Sequence, residues 1–156
     1  MSGDEFPATG RLAGIDFGTV RIGVAISDPQ RQLASPWDNY TRRSPELDAR
    51  YFRELVRTER IAGFVIGLPV HSSGRESRKS GEARRFGQWL AEVTERPVRY
   101  YDERYTTSQA LDALIAAELT KKQRKKRLDK LAAQIILAGF LESRQSADAP
   151  PGPLSD

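Results

Sequence analysis

The chain predicts an α/β fold, on the strength of two patterns. Two apolar runs, Leu12 to Phe17 and Ile22 to Ile26, flank a Gly18-Thr19 turn and read as a β-hairpin. Further on, Ile61 to Gly67 (IAGFVIG) is a short continuous apolar run, the pattern of a strand buried on both faces. A helical pattern and another strand follow it, and such alternation belongs to α/β sheets. With 156 residues, one domain can bury well over half of its unfolded surface around a single core.

Taken in order, residues 1–10 (MSGDEFPATG) are polar with proline and glycine, and read as a flexible leader without an apolar targeting segment. The hairpin, GIDFGTVRIGVAISD from Gly14 to Asp28, carries Asp16 inside its first apolar run. A lone carboxylate there needs a compensating partner, because removing it from water costs several kcal/mol. A divalent cation is one candidate and backbone amides are another. Gly14 and Gly18 flank the position and let a large ligand such as a phosphate approach the backbone. Gln32 to Tyr40, with Leu33 and Trp37 as its large apolar residues, reads as a third, edge strand.

Ser44-Pro45 supplies an N-cap and a proline at the first helical position, and Leu47, Tyr51, Phe52, Leu55 and Val56 form a helical stripe ending near Arg60. After the apolar strand, the loop Leu68 to Glu76 (LPVHSSGRE) contains His71, the single histidine. A helix from about Ser77 to Thr94 has Ala83, Phe86, Leu90 and Val93 on its inner face, and Pro97 precedes a strand from Val98 to Tyr101. At the end of that strand the chain reads DERYTT, Asp102 to Thr107, before a helix through Leu111, Leu114 and Ile115. The carboxyl end of a strand is where ligands bind in open α/β sheets. The basic run KKQRKKR, Lys121 to Arg127, leads into a last helix with Asp129 in its first turn and Leu128, Leu131, Ala132, Ile135, Ile136 and Phe140 at helical spacing. Residues 144–156 are polar and proline-rich and are expected to be disordered, which leaves 11–143 as the folded domain.

A net charge of +4 and a pI near 9.6 favour a polyanionic partner. The absence of cysteine excludes disulfides and thiolate metal sites and suits a reducing compartment. No run approaches the ~18 apolar residues of a membrane span, so the expectation is a soluble, cytoplasmic protein without a membrane partner.

Three carboxylate positions stand out: Asp16 in the first strand, the Asp102-Glu103 pair after a later one, and Asp129 at the start of the last helix. Mg²⁺ and similar hard cations take oxygen ligands, and phosphoryl transfer uses a few carboxylates together with substrate phosphates. Spacing alone does not make these positions converge. Glu103 and Asp102 also suit surface charges paired with Arg104, and Asp129 suits an acidic first turn of a helix. His71 is either an ordinary loop histidine or a proton carrier or phosphate contact.

These strings, in this order, resemble the YqgF/RuvX family of ribonuclease-H-like nucleases, described as pre-16S rRNA nucleases or Holliday-junction-resolvase-like proteins. The resemblance runs from about Leu12 to Ser143 in four blocks: GIDFGTVRIGVAISD, GLP with a following glycine, DERYTT, and LDKLAAQIILAGFLE. It implies a five-stranded mixed sheet flanked by helices, with catalytic carboxylates at Asp16, Glu103 and Asp129 holding Mg²⁺ or Mn²⁺. Asp102 is then an accessory candidate, as is His71. Two positions depart from the family pattern: Val20 stands where lysine is usual, beside a retained Arg21, and Tyr105 stands where leucine is usual.

Arg21, Arg104, Lys121, Lys122, Arg124, Lys125, Lys126 and Arg127 are the candidate nucleic-acid contacts. The leading expectation is a metal-dependent nuclease acting on precursor 16S ribosomal RNA. A resolvase of four-way DNA and a non-catalytic nucleic-acid-binding factor are the alternatives. A monomer and an RNA substrate are favoured because each amphipathic helix has one apolar stripe, which the sheet consumes, whereas paired cuts in a junction call for a symmetric dimer. An ATP-binding protein of the actin or sugar-kinase type begins with a similar glycine-bearing hairpin but needs a much longer chain.

Overall fold

The computed structural model describes residues 6–69, 78–103 and 131–143. Five strands form one sheet: β1 (Arg11–Asp16), β2 (Arg21–Ser27), β3 (Ala34–Thr41), β4 (Ile61–Leu68) and β5 (Val98–Asp102). Their spatial order is β3-β2-β1-β4-β5. The first three are antiparallel neighbours, while β4 runs parallel to β1 and β5 parallel to β4. This is the five-stranded mixed sheet that the resemblance implies, with β1 at its centre and β3 at one edge.

Alternation along β1 sends Ala13 and Ile15 to one face of the sheet and Leu12 and Gly14 to the other. The first face is covered by α1 (Pro45–Glu59) and α2 (Arg78–Thr94). Phe52, Leu55, Phe86 and Leu90 pack there against Ile15, Val24, Phe64 and Ile66 in the main core. A third helix, α3 (131–143), covers the second face, where Ala133, Ile136, Leu137 and Phe140 meet Leu12, Ala25, Val65 and Tyr101.

Local chemistry sets the helix boundaries. The Ser44 hydroxyl accepts from the Leu47 amide at 3.2 Å, and Pro45 occupies the first turn. The helix ends where Arg60 turns left-handed with φ of 54°. Asp48, in the first turn and 2% exposed, accepts from the Tyr40 hydroxyl at 2.6 Å and the Arg43 amide at 2.9 Å. Its second oxygen faces Arg42 Nε at 3.6 Å. These partners compensate burial of the charge and fasten the end of β3 to α1.

Asp16 lies in the first strand as expected, as the last residue of β1, half-buried. Two details differ from the sequence reading. Leu33 precedes β3 and is exposed, and Trp37 is 45% exposed, so the edge strand buries neither of its large apolar residues. Within the expected leader, Phe6 packs edge-on against Phe140 with ring centroids 5.8 Å apart.

The close approach of α3 to the sheet depends on Gly14. A Cβ there would lie 2.7 Å from Leu137 Cβ and 2.9 Å from the Ala133 carbonyl oxygen. Gly14→Ala is therefore expected to lower unfolding stability by about 1–3 kcal/mol, the usual range for overpacking. A urea titration checks this through the midpoint, and an unchanged midpoint would show that α3 can move aside.

Candidate active site

The parallel strands β1, β4 and β5 end on the same edge of the sheet, and a cavity of about 400 Å³ opens there. Asp16 and Glu103 both line it, together with Thr19 of the β1–β2 turn, Gly67 of β4, and Lys79 and Glu82 of α2. Two of the three carboxylates expected from sequence are thus brought to one site, although four strands and two helices separate them along the chain.

Each is positioned by backbone geometry. Asp16 terminates the central strand opposite Gly23 of β2. Glu103 directly follows β5, and its carboxylate folds back over β4 because Gly67 has no side chain. A Cβ at Gly67 would lie 3.1 Å from Glu103 Oε2 and 2.5 Å from Ile136 Cδ1. Gly67 therefore makes room for both the acid and α3. Burial pushes the Glu103 carboxyl above the usual carboxylate range, and the negative charge of Asp102 pushes it further.

Asp102, the accessory candidate, is the last residue of β5, half-buried and opposite Leu68. Arg21 is exposed at the start of β2, and Val20, where the family has lysine, is 62% exposed in the turn before it. Asp129, His71, Arg104, Lys121, Lys122, Arg124, Lys125, Lys126 and Arg127 lie outside the described residues. Among the described residues no three His, Cys, Asp or Glu side chains cluster tightly enough to hold a metal by themselves. The Asp16–Glu103 pair does suit a hard cation as a partial ligand set: both offer oxygen, and one resists ionisation in the absence of a compensating positive charge.

Lys79 and Glu82 were missed by sequence reasoning. Their signal is positional: they lie four and one residues before Ala83, on the cleft side of the first turns of α2, where the apolar stripe gives way to polar side chains. Attention to the apolar stripe alone passes over them.

A family model described as "RuvX: Holliday junction resolvase" matches residues 10–143. The chain belongs to the RuvX family. RuvX membership makes it a nuclease, an enzyme that hydrolyses phosphodiester bonds in nucleic acid. A protein of Rhodopirellula baltica named "Putative pre-16S rRNA nuclease" is 52% identical over 140 residues, covering 90% of this chain and 81% of that one. A protein of Rhodobacter capsulatus with the same name is 40% identical over 136 residues, covering 87% of this chain and 86% of its own. In fold, the RuvX chain is similar to Thermus thermophilus RuvC in complex with a Holliday junction, with a TM-score of 0.61 and 14% identity over 92% of this chain and 99% of that one. The likeness identifies the sheet and helices as ribonuclease-H-like.

The raised pKa of Glu103 has a thermodynamic consequence. A carboxyl whose folded-state pKa exceeds its unfolded value favours the fold while protonated, and that contribution is lost as pH rises through the folded-state pKa. Without metal, Glu103→Gln is expected to raise the melting temperature at neutral pH relative to wild type and to change it little at about pH 3.5. Thermal denaturation at the two pH values checks this; a lower melting temperature at neutral pH would contradict it.

Proposed function

We propose that this RuvX-family nuclease is Mg²⁺- or Mn²⁺-dependent, with Asp16, Glu103 and Asp129 as ligands, and that it acts in the cytoplasm on precursor 16S ribosomal RNA. The observation that supports the metal site is the meeting of Asp16 and Glu103 in one cleft at the carboxyl ends of parallel strands. Asp129 is the third ligand by its match to the family's last block. The pre-rRNA substrate is favoured by the naming of relatives as similar as 52%, and a monomer is favoured because the helices bury their apolar stripes against the sheet.

When bound, a divalent cation supplies charge neutralisation for the phosphoryl oxygens and a more acidic water. The chain's own residues do the rest. Asp16 and Glu103 act as oxygen ligands, and neither is a nucleophile. Lys79 places a positive charge on the same cleft and offsets that of an incoming phosphate. Thr19, exposed beside the half-buried Gly18, stands at the rim and leaves the cleft open to a polymer. The basic run 121–127 grips backbone phosphates near Asp129.

Asp16→Asn is expected to reduce cleavage at least ~100-fold, the upper range for disturbed metal sites. It should also remove most of the rise in melting temperature that Mg²⁺ or Mn²⁺ gives the wild type. Because Glu103 must lose its proton to bind a cation, that rise should grow with pH through the Glu103 pKa. Cations that leave the wild type and Asp16→Asn equally unaffected would remove the metal site. Replacing Lys125, Lys126 and Arg127 by neutral residues is expected to flatten the salt dependence of binding by somewhat under one log-log unit for each phosphate that is no longer neutralised. Preference for precursor rRNA is tested by offering it beside four-way DNA at one ionic strength; symmetric paired nicks in the junction, with RNA left intact, would reverse the substrate assignment.

A further inference from the structure

A second groove, of about 370 Å³, adjoins the acidic cleft and shares Phe17, Thr19 and Glu82 with it. It runs from the β1–β2 turn toward the junction of β3 with α1, and its other walls include Arg42, Arg85 and Trp89. Two guanidinium groups and the Glu82 carboxylate line it, so cationic side chains face this groove where carboxylates dominate the cleft.

Arg42 is held in place before any ligand arrives. Its amide donates to the Val20 carbonyl at 2.9 Å, and its Nε faces the buried Asp48 carboxylate at 3.6 Å. Its guanidinium carbon lies 5.3 Å from the centroid of the Phe17 ring and 5.8 Å from that of Phe86. Anchoring at Nε leaves the side chain 32% exposed. A guanidinium fixed in this way loses little freedom on meeting a phosphate, which its planar fork suits. Arg85 is exposed on α2, and Trp89, one turn further along the same helix face, is half-buried against the core. Trp89 presents an aromatic wall of the kind on which unpaired bases stack.

We propose that this groove is a subsite for one nucleotide of an unpaired strand, next to the phosphate that is cut: Arg42 and Arg85 take its backbone phosphate, and its base lies against Trp89. The proposal rests on the nuclease reading of the acidic cleft and adds a substrate class to it. A paired base is stacked within its own helix and cannot reach Trp89, so the site selects single-stranded segments or ends over continuous duplex.

The test uses the full chain with short single-stranded RNA and the same RNA annealed to its complement. For the single strand, Arg85→Ala and Arg42→Lys are expected to raise KM roughly three- to tenfold with kcat nearly unchanged. Arg85→Ala should also lower the salt slope of binding by about 0.7 unit. The Mg²⁺-induced thermal shift, which reports on Asp16 and Glu103, should stay as in wild type. In Trp37→Phe, which leaves Trp89 as the sole tryptophan, fluorescence should change on adding the single strand and not the duplex. If the wild type cleaves but both arginine variants keep its KM and salt slope and Trp89 does not respond, the subsite is overturned and the nuclease reading stands. If no substrate is cleaved yet Trp89 responds and Arg85→Ala lowers the slope, the subsite stands and the nuclease reading falls. Equal responses to single strand and duplex overturn the selectivity.

Discussion

The parallel pairing of β1 with β4, and of β4 with β5, determines where the acidic cleft lies. Parallel neighbours end on the same edge of a sheet, so a residue closing β1 and a residue following β5 arrive side by side, with only the width of β4 between them. Gly67 is the β4 residue at that point, and its missing side chain lets Glu103 fold across the gap. An antiparallel β5 would carry Glu103 to the opposite edge and leave Asp16 without a companion.

The same constraint reaches the far face of the sheet. Ile136 also occupies space beside Gly67, and Leu137 and the Ala133 carbonyl occupy it beside Gly14. The helix 131–143 thus sits closely on β1, which ends in Asp16, and on β4, which Glu103 crosses, and its packing and the site geometry are coupled through glycine positions. On the other face, the buried Asp48 organises a different part of the site. It fixes α1 to the end of β3 and orients Arg42 toward the outer groove. Acidic side chains thus line the cleft where the parallel strands end, and two arginines line the groove beside it.

Much of the fold was legible because the deciding signals are local. The Gly18-Thr19 turn between apolar runs, the Ser44-Pro45 cap and the unbroken run at Ile61 each specify an element without reference to distant residues. Asp16 stood out for the same reason, as an acid within an apolar run, and the Asp102-Glu103 pair as acids after a strand, from which the family resemblance selects Glu103. Their meeting was not legible from spacing, because it depends on strand order and on a glycine in a third strand. Nor was the place of Lys79 and Glu82 in the cleft, which depends on the tertiary packing of α2 beside the ends of β1 and β4. Asp48 reads in sequence as an ordinary first-turn acid, and only the tertiary packing of Tyr40, Arg42 and Arg43 makes it a buried hub. Trp37 shows the converse: it is the largest apolar side chain of its strand, yet on an edge strand it stays 45% exposed.

The central claim is that Asp16 and Glu103 hold a cation between them. Anomalous X-ray scattering from crystals of the full chain grown with Mn²⁺ tests it most directly, because the metal's position is read without assumption about its ligands. The account predicts an anomalous peak in the cleft within coordination distance of both carboxylates, with Asp129 supplying a further oxygen. Crystals saturated with Mn²⁺ that show no peak there, or a peak bound by neither Asp16 nor Glu103, would contradict it.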